Sequence, residues 1–179
     1  MTNTMKTLVK STIAAIALIA IISCKENNQE SKRETINEEV MTSGASNQKF
    51  EDEMTAKVWD GYLELKTAFV ASNAAAVQTA AQQIAGNLTE DHADMKNLAQ
   101  EIANEADLEK QRKLFSDFTD KAGPLFKEAL ASGTMYKQFC PMAFNNTGGF
   151  WYSDVSEIRN PYFGDRMLKC GSVKETIEK

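Results

Sequence analysis

The sequence predicts an all-α fold, an antiparallel four-helix bundle with a loop-rich C-terminal cap. Three observations lead there. Between about Phe50 and Ser132, apolar residues recur every three or four positions, the period of a buried helix face. Capping and turn residues cut that run into four segments joined by short connections. From Thr134 onward the composition turns to glycines and aromatics with no helical period.

Each helix has its own stripe. Met54, Val58, Tyr62, Leu65 and Phe69 share one face of the first, which ends at Ser72-Asn73. Asn73 can cap the second helix, where Val77, Ala80, Ala81, Ile84 and Leu88 line up. Its alanines let a neighbouring helix come close. Thr89 offers a cap for the third, with Glu90 and Asp91 suiting the positive end of the helix dipole. Met95, Leu98 and Ile102 form that stripe. The fourth starts near Asp107 and carries Leu108, Leu114, Phe115 and Phe118. Gly123-Pro124 is expected to kink or interrupt it before Leu125, Phe126 and Leu130 resume the face.

The chain of 179 residues is long enough for one domain with appendages. It is 42% hydrophobic and 25% charged, with a mean hydropathy of −0.40, which excludes a polytopic membrane protein and a wholly disordered chain. A net charge of −5 argues against nucleic acid as a partner. With three cysteines and one histidine there is no zinc-finger framework. Neither a phosphate-binding glycine loop nor an internal repeat occurs. Ser153 lacks a base for nucleophilic catalysis, because His92 is the sole histidine, and no enzymatic activity is expected.

Residues 1–23 read as a secretory signal. Lys6 and Lys10 supply the positive region and Ile13 to Ile22 the apolar run. That run rises about 15 Å as a helix, half of a bilayer core of about 30 Å. It ends in Ile21-Ile22-Ser23-Cys24, which resembles a bacterial lipobox. The expectation is cleavage before Cys24, lipidation of its thiol and attachment to the inner or outer membrane, with the domain facing the periplasm. Residues 24–49 mix charges with Asn, Gln and Ser and read as a disordered tether. Residues 50–175 form the domain, with a Cys/Met-rich subdomain at 134–171.

That subdomain holds eight of the fifteen aromatics. Within it, Cys140-Pro141-Met142-Ala143, Gly148, Trp151, Ser153, Ile158, Asn160-Pro161-Tyr162-Phe163-Gly164, Met167-Leu168 and Cys170-Gly171 resemble the signature of a bacterial periplasmic family. It is the family catalogued as domain of unknown function 3347. The resemblance spans about residues 50–175, with its specificity in 136–171. Members occur as secreted proteins and lipoproteins. Similar domains are fused to heavy-metal-binding modules and to adaptor subunits of metal efflux pumps. The resemblance therefore implies handling of copper, silver or a related metal, with an efflux adaptor or metallochaperone as partner.

The residue chemistry leaves two readings open. Cys140 with Met142, and Met167 with Cys170, are two thiol–thioether pairs, and soft sulfur ligands select Cu(I). His92 could add an imidazole if its helix faces the subdomain. The leading expectation is thus a lipoprotein that binds Cu(I) for sequestration or delivery. In the alternative, Cys24 is consumed by lipid and the remaining two cysteines pair in an oxidising compartment. A Cys140–Cys170 disulfide would contribute about 3–4 kcal/mol and staple a non-metal interaction module. Met142 and Met167 would then be packing residues.

Overall fold

The computed structural model describes residues 47–179. The signal segment, Cys24 and the tether up to residue 46 lie outside the described residues.

Four helices carry the fold: α1 (Glu53–Val70), α2 (Ala74–Asn87), α3 (Ala93–Asn104) and α4 (Leu108–Ala129). Local chemistry starts three of them. The Asp52 carboxylate accepts from the Thr55 N–H at 2.7 Å, Asn73 from Ala76 at 3.0 Å and Asp107 from Lys110 at 2.9 Å. Thr89 caps nothing with its side chain. A single 3₁₀ turn, Glu90–His92, intervenes before α3 begins. Consecutive helices pack on one another, and α1 also meets α4. Gly61 lets α2 approach α1, since a Cβ there would lie 2.8 Å from Ile84 Cγ1.

The predicted stripes form the core. Val58, Tyr62, Leu65 and Phe69 of α1 and all five stripe residues of the second helix are buried. Phe115, Phe118 and Phe126 of α4 join Trp59, Tyr62 and Phe69 in an aromatic cluster with ring separations of 4.9 to 6.3 Å. The helix does not break at Gly123-Pro124. It runs through as one element, and Gly123 is the seat of Tyr152 from the C-terminal segment. A Cβ at position 123 would stand 2.5 Å from the Tyr152 hydroxyl.

The all-α expectation is overturned in the C-terminal segment, which forms a sheet with long loops between its strands. Strands β3 (Thr134–Cys140), β4 (Gly149–Ser153) and β5 (Ser172–Glu178) form an antiparallel sheet in the order β4-β3-β5. A second, two-stranded sheet joins β1 (Lys49–Phe50) to β2 (Leu130–Ser132). Gln48 and Lys49 thus already belong to the folded region, with Gln48 buried and its amide donating to the Thr134 carbonyl. The strands escape pattern reading because both sheet faces are covered. Met135, Tyr152 and Ile177 join the helical core, with β4 against α4, while Gln138, Cys140, Trp151 and Ser153 are buried beneath residues 154–171. Apolar and polar residues therefore do not alternate. In β5, only Ile177 is buried.

Buried polar groups join the two halves. Arg112, only 2% exposed, donates from Nε to the Pro161 carbonyl at 3.0 Å. Its Nη2 donates to Ser72 Oγ at 3.0 Å and the Phe69 carbonyl at 3.3 Å, and its Nη1 to Glu109 at 2.7 Å. Tyr62 exchanges a hydrogen bond with Thr119 and accepts the Tyr152 N–H. Lys66 Nζ donates to Ser153 Oγ at 2.9 Å and to Asp154 at 3.3 Å, and burial holds its pKa below the usual lysine range. Replacing Arg112 with Met should cost about 2–4 kcal/mol, because the buried Pro161 carbonyl loses its donor along with the other bonds. Urea unfolding measures it; a loss under about 1 kcal/mol would show that the guanidinium is not needed to join the halves.

Candidate functional site

The two cysteines come together at one edge of the three-stranded sheet. Cys140 is the last residue of β3 and is fully buried. Cys170 precedes β5 and is half-buried. The register places Phe139 opposite Ser172, so Cys170 arrives beside the end of β3. The sulfurs are 3.1 Å apart, one thiol donating to the other, and both are free.

Local chain geometry explains the approach. Gly171 has φ 149°, and a Cβ there would lie 2.9 Å from both the Phe139 carbonyl and the Trp151 ring. Only glycine lets the chain pass so close to β3. Asn160 anchors the other side with every polar group satisfied. Its Nδ2 donates to the Cys170 carbonyl at 2.8 Å and its Oδ1 accepts the Tyr162 N–H at 2.8 Å. Its backbone N–H donates to Leu168, and its carbonyl accepts from Gly164. Arg112 holds the next carbonyl, that of Pro161.

The turn after Cys140 is strained. Phe144, Asn145 and Asn146 all adopt left-handed backbone angles. Asparagine tolerates this; phenylalanine does not, and such a residue persists only when its surroundings fix it. The Phe144 ring meets Tyr162 edge-on at 4.9 Å, and Tyr162 in turn donates to the Phe150 carbonyl.

Of the candidate metal ligands, four share this region of chain. Met142 lies two residues past Cys140 and is 46% exposed. Met167 is one turn before Cys170, whose N–H donates to the Met167 carbonyl at 3.0 Å. His92 is not brought to them. Asp52, the cap of α1, is held below its usual pKa chiefly by the Thr55 N–H. α2 runs back along α1, with Ile84 against Gly61, so the turn ending at His92 lies toward the N-terminal end of α1. The turn containing Met167 packs at the other end, where Gly164 meets Val70 and Ser72. The 18 residues of α1 rise about 27 Å between them. Among the described residues, no group of three or more His, Cys, Asp or Glu side chains gathers as a metal site.

Three residues that position this region were not singled out as such in the sequence: Arg112, Asn160 and Lys66. Arg112 lies three residues before Phe115 on the buried side of α4, where a charge demands a partner. The nearby Lys66–Ser153 contact has the chemistry of a base and a hydroxyl, but Ser153 is 1% exposed and sealed from any substrate.

Residues 58–132 match the family described as Protein of unknown function (DUF3347). The resemblance to that family is thus shown over the helical block and β2. The match stops before the Cys140-to-Gly171 segment. No curated protein and no solved structure matches the chain.

The thiol contact has a pH consequence. The hydrogen bond with Cys140 comes first, burial second, and both raise the Cys170 pKa above the usual thiol value. Cys170 thus carries less thiolate at neutral pH than a free cysteine. Replacing Cys140 with Ala should increase the iodoacetamide alkylation rate of Cys170 at pH 8, with the gap closing as pH rises. Peptide mass spectrometry follows it; an unchanged rate and pH profile would show that Cys140 does not hold the proton.

Proposed function

We propose that the protein is a periplasm-facing lipoprotein, anchored through Cys24, that binds a soft metal ion such as Cu(I). The ion would be sequestered, or passed to a metal efflux adaptor or metallochaperone. The supporting observation is the 3.1 Å approach of the Cys140 and Cys170 sulfurs, each on a short segment that also carries a methionine. Thiolates and thioethers are soft donors suited to Cu(I). Met142 is exposed, and Cys170 and Met167 sit at a half-exposed edge.

Loading requires two adjustments. Both thiols lose their protons, so binding strengthens as pH rises. The sulfurs must also part. Two metal–sulfur bonds of about 2.3 Å at a tetrahedral angle span about 3.8 Å. The mobile partner is Cys170, since Cys140 is locked in β3.

A second reading draws on the same distance. A disulfide needs sulfurs at about 2.05 Å, roughly 1 Å closer than they stand. A periplasmic thiol oxidant that removes two electrons and two protons from the pair would close it. The protein would then be a non-metal interaction module stapled at the sheet edge.

Titration of the reduced full-length protein with Cu(I) against a competing chelator tests the first reading. One tightly held ion is expected, with affinity reduced more than about tenfold in Cys140→Ser/Cys170→Ser. Equally weak binding by both proteins would overturn it. A quantitative disulfide in periplasmically produced protein, counted as missing free thiols, would favour the second.

A further inference from the structure

A separate cleft lies between α4 and the face of the sheet formed by β3 and β4. Its volume is about 540 Å³, within the range of small-molecule sites. Phe150 and Tyr152 line it from the sheet, and Asp120, Pro124 and Glu128 from the helix.

The chemistry of this cleft is unfinished. Tyr152 is 4% exposed overall, and its hydroxyl opens into the cleft with no protein hydrogen-bond partner among the described residues. The absence of a Cβ at Gly123 brings this hydroxyl against the helix backbone. Pro124 has no N–H, so the Asp120 carbonyl loses its usual donor four residues on. Asp120 and Glu128 form no ion pair among the described residues, while Lys127 is neutralised by Glu175 at 2.7 Å. Lys137 also has no carboxylate partner there, and its ammonium lies 4.3 Å above the Phe150 ring. Unpaired charges of both signs thus flank an aromatic floor.

We propose that this cleft binds a small zwitterion of the amino-acid type, with an apolar side chain. Its ammonium is taken by the Asp120 carboxylate and the Tyr152 hydroxyl oxygen. Its carboxylate draws the Lys137 ammonium off the Phe150 ring, and its apolar part takes the ammonium's place there. A simple amine would leave Lys137 unpaired, and a simple carboxylate would meet two like charges on the helix. The mixed charge therefore selects for a ligand carrying both. This site shares no residue with the sulfur edge.

Calorimetric titration of the full-length protein with leucine, phenylalanine, butylamine and butyrate tests the assignment. The expected result is binding of an amino acid in the micromolar-to-millimolar range, at least about tenfold tighter than either single-charge probe. Asp120→Asn and Lys137→Met should each weaken it about tenfold or more while leaving the circular dichroism spectrum unchanged. Tyr152→Phe should weaken it less. No amino-acid binding up to about 10 mM would overturn the proposal. So would butylamine binding as tightly as leucine, or affinities indifferent to Asp120→Asn and Lys137→Met.

Discussion

The buried guanidinium of Arg112 is the constraint on which the arrangement of the molecule depends. A charge cannot enter a core without donors and acceptors around it. Here the acceptors come from three separate stretches of chain: the end of α1 at Phe69 and Ser72, the first turns of α4 at Glu109, and Pro161 in the C-terminal segment. Glu109 also holds Arg166 on the surface at 2.8 Å. The helical block and the C-terminal segment are thereby fixed relative to one another by directional bonds as well as by apolar contact. Hydrophobic packing alone would permit sliding of the sheet along α4. The fork geometry of an arginine permits much less.

From this anchor the sulfur edge follows by short steps. Pro161 is held, so Asn160 beside it is held, and Asn160 carries the Cys170 carbonyl. Gly171 then lets the strand turn in beside β3, where Cys140 ends. One thiol is rigid and buried; the other is on a segment fixed only at its backbone. That asymmetry suits a pair that must change separation, whether to close on a disulfide or to open around an ion. The raised pKa of Cys170 belongs to the same geometry, since a proton shared between two close sulfurs is hard to remove. In the reading proposed above, metal and disulfide compete for one contact, and the redox poise of the surroundings chooses between them.

The helices were legible because each carries its own instruction. Asn73 and Asp107 cap where their side chains imply; the α2 stripe is wholly buried, and those of α1 and α4 are buried apart from Met54, Leu108, Leu114 and Leu125, which are partly buried. The sheet was not legible. Trp151, Tyr152 and Ser153 are consecutive and all buried, so β4 shows no alternation, and the exposed β5 offers little apolar signal. Gly148, Gly164 and Gly171 do lie between strands, while Phe139, Phe150, Trp151 and Tyr152 beside them are strand residues. For the site, the proximity of Cys140 and Cys170 could be suspected from cysteine parity. The distance of His92 could not, because it depends on which end of α1 receives the C-terminal segment. That choice is made by Arg112, 40 residues from Ser72 and 49 from Pro161, and no local pattern records it.

The central claim is that the Cys140–Cys170 edge is a soft-metal site. X-ray absorption at the copper edge, on reduced protein loaded with one Cu(I) per chain, addresses it most directly. The account predicts a first shell of sulfur alone, comprising two thiolates and at least one thioether, that is lost in Cys140→Ser/Cys170→Ser. A shell of nitrogen or oxygen, or a spectrum indifferent to that double substitution, would contradict it.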